Sequence, residues 1–357
     1  MNKKIFYLMH VDWSWIKQRP HFLAENLSKV FNILVFHLYS RNRKVMTSNP
    51  SDINKLPIIT FPLKRIKIFN ILSIASQKII FYFYLKQKKP EIIWITYPAL
   101  YDYLPKKELK NYKVIYDCMD DVQGFNNIPR IKKELEISEI QLLKDADHVF
   151  VSSENLRDKI VQRGCNRDKT TLVRNGYDGK IIDPIEQNNS SEIFKIAYIG
   201  TISEWVNFDM IVESTKSVDN IEYHFYGPID CEVPTNSKII FHGPVKHEDL
   251  YKTIQDCSCL IMPFKVNELI LSVDPVKLYE YINFNKNIIT VYYPEIERFN
   301  DFVYFYHNSE EYFELLRQLK ENNQIKYDRI QRYDFLKENS WEKRSEVVID
   351  IINKKFF

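Results

Sequence analysis

One stretch, residues 260–290, constrains the fold more than any other, because it predicts a strand, a loop, a helix and a second strand in direct succession. The apolar run at its start ends before Pro263, and the apolar run 287–293 is rich in Ile, Val and Tyr, as strands are. Asp274 as N-cap and Pro275 at the first helical position predict where the helix begins. This βαβ order predicts a parallel sheet, with a ligand site where the first strand ends and the helix begins.

Two charged side chains on the predicted helix suit a phosphate and a sugar. Lys277 and Glu280 are three residues apart, so they share one face of the helix. The N-terminus of a helix attracts phosphate, and a lysine beside it adds to that attraction. A carboxylate one turn further along can accept hydrogen bonds from a sugar diol. A surface Lys–Glu pair on an ordinary helix explains the same two residues equally well.

The run PVKLYEY, with the short turn and the apolar strand that follow it, resembles the donor-binding signature of GT-B glycosyltransferases. It is most similar to the glycosyltransferase family 4-like enzymes of bacterial surface-polysaccharide synthesis (capsule, O-antigen, teichuronic acid). The resemblance covers nearly the full length and implies an α/β chain of the GT-B type, with two Rossmann-like domains facing a central cleft. It places Glu280 on the ribose of a donor nucleotide, with Val276 and Lys277 also in the donor site.

This chain departs from the family pattern at two places near the donor site. The family's Ala-x-Gly-Lys-Pro turn reads NFNKN at residues 283–287, without the glycine and the proline. Ser272 stands where many relatives carry an earlier glutamate that contacts the donor sugar, and Glu268 lies nearby in a loop of different length. The resemblance therefore leaves the donor sugar open, and it also leaves open whether the reaction retains or inverts the anomeric centre.

Two predicted strands in the second half of the chain end at turns that contain glycine. Gly200 and Thr201 follow the first strand, and Tyr226 and Gly227 end the next. A glycine turn lets backbone amides approach a diphosphate closely, although plain turns explain each of them singly. Relatives often carry Arg or Lys after the first glycine, where this chain has Thr-Ile-Ser-Glu-Trp. The resemblance then implies that Lys277 is the main cation on the donor phosphates, so no metal is expected.

The loop after the first predicted strand is a candidate acceptor site. Trp13, Trp15, Arg19 and His21 belong to a run that resembles the W-x-x-x-RPH-F-L-A opening of the same enzyme group. Tryptophan faces stack on sugar rings, and Arg19 or His21 could donate hydrogen bonds to an acceptor. A hydrophobic staple followed by a capped helix is the structural alternative.

Three carboxylates, Asp117, Asp120 and Asp121, come at the end of a predicted central strand. Like charges this close repel one another and raise each other's pKa, so their grouping favours a site. One carboxylate would suit a general base near neutral pH. If the reaction inverts the anomeric centre, Asp120 or Asp121 is the predicted base, with His21 as the second choice. Caps for the following segment are the structural alternative.

Length and composition predict two domains and narrow the choice of partners. At 357 residues the chain exceeds the size at which one core keeps growing. The predicted limits are 1–180 for the acceptor domain, 190–338 for the donor domain and 339–357 for a helix that crosses back to the first domain. Residues 179–193 are polar and predict the linker. A net charge of +3 gives no reason to expect a nucleic acid partner, and five scattered cysteines predict reduced thiols.

Residues 64–89 have the most unusual composition in the chain. They carry Lys and Arg at both ends, an aromatic and aliphatic centre, and no acidic residue. This pattern predicts a basic amphipathic helix at an anionic membrane surface, whereas a packed helix of the first domain is an alternative that can hold at the same time. No uninterrupted apolar stretch reaches the roughly 20 residues that span a bilayer, so an integral membrane protein is not expected.

These features together predict transfer of a sugar from a nucleotide-sugar donor, UDP-linked by the habit of the family, to a hydroxyl of a lipid-linked bacterial cell-surface glycan. The protein is expected to be cytoplasmic and peripheral at the inner face of the cytoplasmic membrane. Two alternatives stay open. A GT-B sugar-nucleotide epimerase is one, and the segment 64–89 argues against it because such epimerases are usually soluble. A non-catalytic GT-B scaffold subunit of a polysaccharide assembly complex is the other, and Ser272 keeps it open.

Overall fold

Two parallel β-sheets, one in each of two units, organise the protein. The computed structural model describes residues 3–39, 52–61, 66–124, 128–184 and 192–357. The first unit contains Met1–Asn175 and Trp341–Phe357, and the second contains Gly176–Ser340. Residues 185–191 of the predicted linker and the first two residues of the segment 64–89 lie outside the described residues.

The sheet of the first unit has seven parallel strands within the described residues. They are β1 (Lys4–Met9), β2 (Asn32–Leu38), β3 (Asn54–Ile58), β4 (Ile92–Ile95), β5 (Lys113–Cys118), β6 (His148–Val151) and β7 (Thr170–Leu172). Their order is β3-β2-β1-β4-β5-β6-β7, so the direction of winding reverses between β1 and β4. Alternate residues of β1 enter two separate hydrophobic cores, with Tyr7 on one face and Phe6 and Leu8 on the other. A parallel sheet covered on both faces gives this pattern.

In the described part of this unit, six helices accompany these strands. They are α1 (Arg19–Ser28), α2 (Lys67–Lys88), α3 (Pro98–Tyr101), α4 (Lys106–Leu109), α5 (Pro129–Asp145) and α6 (Glu154–Gln162). Helix α1 starts with Arg-Pro, and its first turn is closed by a capping box between Gln18 and His21. This local structure places the Trp13–His21 loop at the carboxyl end of β1.

Among its described residues, the second unit has a six-stranded parallel sheet and five helices. The strands are β8 (Phe194–Ile199), β9 (Ile221–Tyr226), β10 (Ile239–Gly243), β11 (Cys259–Met262), β12 (Asn287–Val291) and β13 (Tyr304–Tyr306). The helices are α7 (Phe208–Ser217), α8 (Leu250–Thr253), α9 (Val276–Asn283), α10 (Ser309–Glu321) and α11 (Arg329–Glu338). The order β10-β9-β8-β11-β12-β13 reverses between β8 and β11. The predicted βαβ unit is β11-α9-β12, and its two strands pair in parallel.

The last helix, α12 (Trp341–Phe356), belongs to the first unit. Trp341 is buried there and stacks on Phe22 of α1, with ring centroids 5.2 Å apart. Arg344 donates a hydrogen bond to the carbonyl oxygen of Asn175 (3.2 Å). The apolar positions of this helix, which recur with the helical period, therefore serve to cover the first sheet.

Helix α2 differs from the expectation that no segment has membrane-spanning length. Among the described residues it is the one helix whose length and apolar composition would allow it to cross a membrane. The expectation was based on uninterrupted apolar stretches. A continuous helix of 22 residues can reach membrane-spanning length and composition even when it contains single polar residues. Gln77 and Ser73 are two of these, and both are buried against the first unit: Gln77 Nε2 donates to the carbonyl oxygen of Ile59 (2.7 Å). One side of α2 is therefore packed on the protein.

Candidate active site

The ends of β8 and β11 bring a glycine turn next to the start of α9. In a parallel sheet, the point where the strand order reverses opens a crevice at the carboxyl ends of the strands. In the second unit this point lies between β8, which Gly200 follows, and β11, which leads to α9. The side chain of Lys277 lies directly over Gly200. A Cβ atom on that glycine would collide with Lys277 Cε and would lie 2.5 Å from Nζ.

The two predicted donor glycines are required by their geometry. Gly200 has a φ of +138° and Gly227 a φ of +153°, which are values that other residues rarely adopt. A Cβ atom on Gly227 would collide with the carbonyl oxygen of Gly200. The turns after β8 and β9 therefore approach each other closely. Gly200 is therefore in close contact both with the turn at Gly227 and with the side chain of Lys277.

Lys277 is a cation without a counter-ion in the described part of the chain. Its ammonium group makes no hydrogen bond or salt bridge with another described residue, although Glu280 lies three residues away. Burial lowers the pKa of Lys277, and the negative charge of Glu280 acts in the opposite direction. A desolvated, unpaired ammonium group over a glycine turn is suited to bind an anion such as a phosphate.

Asp274 does not cap α9, contrary to the prediction. The helix begins at Val276, and Pro275 occupies the N-cap position without a side-chain capping hydrogen bond. The carboxylate of Asp274 is buried in an ion pair with Arg298, whose guanidinium also donates to the hydroxyl of Tyr279 (2.9 Å). Pro275 at the N-cap position offers no side-chain acceptor to the first amides of α9, and the start of a helix attracts anions.

Glu280 is held by a histidine that the sequence did not single out. Nε2 of His247 lies 3.0 Å from Oε1 of Glu280. This hydrogen bond raises the pKa of His247 and outweighs the opposite effect of burial. The two residues are 33 positions apart, so no local spacing pattern could have paired them.

The remaining predicted donor residues have different surroundings. Thr201 is half-buried, and its carbonyl oxygen accepts a hydrogen bond from the Tyr198 hydroxyl (2.8 Å). Tyr226 is buried and stacks on His242, with ring centroids 4.5 Å apart. Val276 is exposed at the start of α9. The structure therefore gathers the glycine turns, the lysine and the glutamate at one end of the second sheet.

Ser272 does not contact these glycine turns, Lys277 or Glu280 through any hydrogen bond that we describe. It is buried, and its hydroxyl lies 3.3 Å from the backbone oxygen of Glu268 within its own loop. At least one hydrogen bond of Ser272 is therefore made within its own loop. Among the described residues there is also no group of three or more His, Cys, Asp or Glu side chains that could hold a metal ion.

In the first unit, most of the predicted acceptor residues are buried and already partnered. The guanidinium of Arg19 donates to Asp117 from Nε (3.0 Å) and Nη2 (2.8 Å), and to the carbonyl oxygen of Val173 from Nη1 (2.7 Å). Trp13 is buried against His21, whereas Trp15 is half-buried. The predicted contacts of Arg19 and Trp13 with an acceptor are therefore wrong, because each residue is only 4% exposed and the guanidinium already has its partners within the protein.

His21, the second choice for a general base, has a structural role instead. It has 0% exposure, and its Nδ1 accepts the backbone amide hydrogen of Gln18 (3.2 Å) at the start of α1. Burial lowers the pKa of His21 to about 4, so the imidazole stays neutral. A ring with no exposed atom cannot reach a substrate, and we correct its role to that of a helix cap.

The structure separates the two aspartates that the sequence left equivalent. Asp121 is buried between Arg163 Nη2 (2.7 Å) and Lys159 Nζ (3.0 Å). Burial would raise the pKa of Asp121, but the hydrogen bonds from these two cations outweigh it and hold the pKa below its usual value. Asp121 is therefore a fully ionised member of a structural ion pair and a poor general base.

Asp120 has the properties of a base. Its side chain is half-buried and makes no hydrogen bond or ion pair with another described residue. Burial raises the pKa of Asp120 to about 6, Arg19 lowers it, and the nearby carboxylates Asp117 and Asp121 raise it. A carboxylate that changes its charge close to neutral pH suits proton transfer from a sugar hydroxyl.

One residue pair at the first sheet escaped the sequence analysis. Nδ1 of His10, at the end of β1, lies 3.1 Å from the hydroxyl of Thr96, at the end of β4. The ring of His10 stacks on Tyr97, with centroids 4.8 Å apart. These residues lie where the strand order reverses, which is where a parallel sheet binds ligands. Because ligands bind at the carboxyl ends of parallel strands, the residues that follow β1 and β4 could have been singled out from the sequence.

Two Rossmann-like units, with a last helix that returns to the first of them, define the GT-B class of fold. The solved structures that resemble this chain support that class. Sucrose-phosphate synthase from Thermosynechococcus elongatus matches with a TM-score of 0.74 and 12% identity, over 99% of each chain. HepE from Anabaena, solved in complex with UDP, matches with a TM-score of 0.70 and 9% identity, over 99% of this chain and 100% of that one. At such identities the likeness establishes the fold alone, and the predicted GT-B fold is confirmed.

The similarity in sequence is more limited. No protein-family model matches the chain. It is 22% identical over 227 residues to a Bacillus subtilis (strain 168) protein, TuaH, whose name describes a glycosyltransferase of teichuronic acid biosynthesis. The match covers 58% of this chain and 56% of TuaH, so the chain spans about half the length of that relative.

Proposed function

We propose that the protein transfers a sugar from a nucleotide-sugar donor, with UDP as the nucleotide, to a hydroxyl of a bacterial cell-surface glycan. The observation that carries this proposal is the unpaired ammonium group of Lys277 over the turn at Gly200. An anion is the partner that such a group lacks, and the start of α9, where the N-cap residue is Pro275, favours the same ligand. A relative named as a glycosyltransferase and a structural neighbour solved with UDP support a nucleotide-sugar as that ligand.

We assign each of these groups a role in the proposed reaction. Lys277 and the N-terminus of α9 would stabilise the negative charge that develops on the diphosphate as it leaves, which is the task a divalent ion performs in other transferases. The carboxylate of Glu280 would accept hydrogen bonds from the ribose hydroxyls. In an inverting reaction, Asp120 would remove the proton from the acceptor hydroxyl. No metal ion is needed for these steps.

Helix α2 supports the finer proposal that the acceptor is lipid-linked and that the protein lies on the membrane. Its buried residues recur every four positions, and its exposed face is apolar, although water would normally select polar residues there. Ile68, Ile79 and Phe83 are 61%, 60% and 65% exposed. Six of the exposed apolar residues of α2 share one side of the helix: Ile68, Ile71, Leu72, Ile79, Tyr82 and Phe83.

The charges of α2 fit an anionic lipid surface. The helix contains four lysines and no acidic residue: Lys67, Lys78, Lys86 and Lys88. An apolar face flanked by lysines sinks into the headgroup region of a leaflet while the cations meet its phosphates. Because the opposite side is packed on the first unit through Phe81 and Leu85, the helix would lie along the surface and would not cross it. We propose the inner face of the cytoplasmic membrane as the location.

A thermal-shift titration tests the donor site. UDP, GDP, dTDP and CMP are added to the wild type and to Lys277→Ala and Glu280→Ala, with the exposed Lys216→Ala as the matched control. A nucleotide at 100 times its Kd stabilises the protein by about 2.7 kcal/mol, which a melting curve resolves easily. We expect UDP to shift the wild type and the control and to lose its effect on the other two. If no nucleotide shifts the wild type, the transferase proposal fails and a non-catalytic scaffold takes its place.

Vesicle flotation tests the membrane proposal. We expect the wild type to float with vesicles that contain anionic lipid, and the double variant Ile79→Asp, Phe83→Asp to stay in the soluble fraction. Ile330→Asp, at a position of the second unit that is 72% exposed, is the control and should float like the wild type. If the wild type ignores the vesicles and self-associates through α2 instead, the apolar face joins two copies of the chain and the membrane proposal is refuted.

A further inference from the structure

A histidine from a neighbouring loop holds the carboxylate that we assign to the ribose. His247 opens the 3-10 helix His247–Asp249, which follows β10, and its Nε2 lies 3.0 Å from Oε1 of Glu280 on α9. The side chain of His247 is 72% exposed, and that of Glu280 is 24% exposed. The hydrogen bond therefore joins a surface loop to the helix of the donor site.

Glu280 has a second cation within reach, and pairing with it would disable the donor site. Lys277 lies three residues earlier on the same helix face, a spacing at which Lys–Glu pairs form readily. Such a pair would neutralise the ammonium group over Gly200 and would occupy the carboxylate at the same time. The structure shows no salt bridge between them in the described residues, and Glu280 bonds to His247 instead.

We propose that His247 is a positioning residue for nucleotide binding, which holds the Glu280 carboxylate away from Lys277 so that the carboxylate receives the ribose while the ammonium group receives the diphosphate. This inference rests on the proposed function and deepens it. A carboxylate offers about four lone-pair positions on two oxygens. His247 uses one of them on Oε1, and Oε2 makes no hydrogen bond to a described residue, so the ribose can bind without displacing the histidine.

The charge of His247 gives this arrangement a pH dependence. The hydrogen bond to Glu280 raises the pKa of His247 above its usual value of 6.5, burial lowers it, and the negative charge of Asp178 raises it. The bond is charge-assisted below that raised pKa and weakens as the pH rises through it. Nucleotide affinity should therefore fall as the pH rises. The loop that carries His247 also contains the charged residues Lys246, Glu248 and Asp249.

Calorimetric titration of the full chain with UDP tests the inference, using the wild type, His247→Ala and His247→Gln at about pH 6 and about pH 8.5. We expect His247→Ala to weaken UDP binding roughly fivefold to tenfold, the loss expected for one partly exposed charged hydrogen bond. His247→Gln should recover most of the affinity, because its amide can donate to Glu280, but it should lose the pH dependence, because it cannot be protonated. The KM for the donor should rise in His247→Ala while kcat stays unchanged.

A double-mutant cycle separates positioning from a merely structural effect. The cycle is read with uridine, which carries the ribose but lacks the diphosphate that Lys277 would bind. If His247 acts by keeping Glu280 from Lys277, its removal should cost much less in a Lys277→Ala background. Unchanged or tighter UDP binding by His247→Ala would overturn the inference, since tighter binding means that the histidine competes with the ribose. If the wild type binds UDP, Lys277→Ala does not, and the His247 variants bind it with wild-type affinity, the inference about His247 is overturned while the proposed function stands. A wild type that binds no nucleotide overturns the proposed function as well.

Discussion

Removing the guanidinium of Arg19 should unfold the first unit at a much lower temperature. The side chains of Arg19 and Asp117 are 2% and 0% exposed, so Arg19→Ala would leave an ionised carboxylate buried without a partner. Breaking a buried ion pair in this way costs about 3–5 kcal/mol. The carbonyl oxygen of Val173 would also lose its donor at 2.7 Å. The two losses involve the same side chain, so their free energies are not simply additive.

The size of this effect is measurable by calorimetry. For a unit of this length, 1 kcal/mol corresponds to about 2–4 °C in Tm, so the loss converts to roughly 6–20 °C. Arg19→Lys should recover only part of it, because an ammonium group cannot donate to two partners in the same plane. The double variant Arg19→Met, Asp117→Leu should recover most of it, because no charge then remains buried.

Lys86→Ala in the same unit serves as the matched control. The salt bridge of Lys86 with Glu108 is 51% and 22% exposed, and its loss should leave the Tm unchanged. The reasoning is refuted if Arg19→Ala melts at the wild-type temperature and instead raises the KM for the glycan acceptor. That outcome would mean that the guanidinium faces substrate, as the sequence alone led us to expect.

The two aspartates and the donor glycine give three further predictions. Asp120→Asn should fold normally and lower kcat by about 10²–10⁴-fold, and the rise in wild-type activity as the pH passes through about 6 should disappear, as rate–pH profiles would show. For Asp121, whose pKa is depressed in the folded state, the stabilisation is complete above about pH 3.9 and is lost as the pH falls through the folded pKa. Asp121→Asn should therefore lower the Tm at neutral pH and flatten the acid side of the stability curve. Gly200→Ala should weaken UDP binding about tenfold or more by displacing Lys277, whereas Gly164→Ala, at a φ of +102° with no atom within 4 Å, should lower only the stability. An unchanged UDP affinity in Gly200→Ala would show that the lysine does not bind the diphosphate.

The sequence by itself determined the class of fold and the position of the donor site along the chain. Parallel strands and the helices between them leave local patterns in the sequence: apolar runs, glycines at the ends of elements, and residues that favour the start of a helix. The stretch 260–290 is such a case, and it forms β11-α9-β12. The spacing of Lys277 and Glu280 is likewise local, because three residues on a helix always share one face.

Only the tertiary structure decided what the polar residues do. Arg19 and Asp117 are 98 positions apart, and His247 and Glu280 are 33 apart, so neither partnership leaves a signal in local spacing. Asp120 and Asp121 are neighbours in sequence, yet Arg163 reaches one of them and not the other. The physical reason is that charge and proton affinity depend on burial and on the nearest opposite charge, and both are supplied by parts of the chain that meet only after folding.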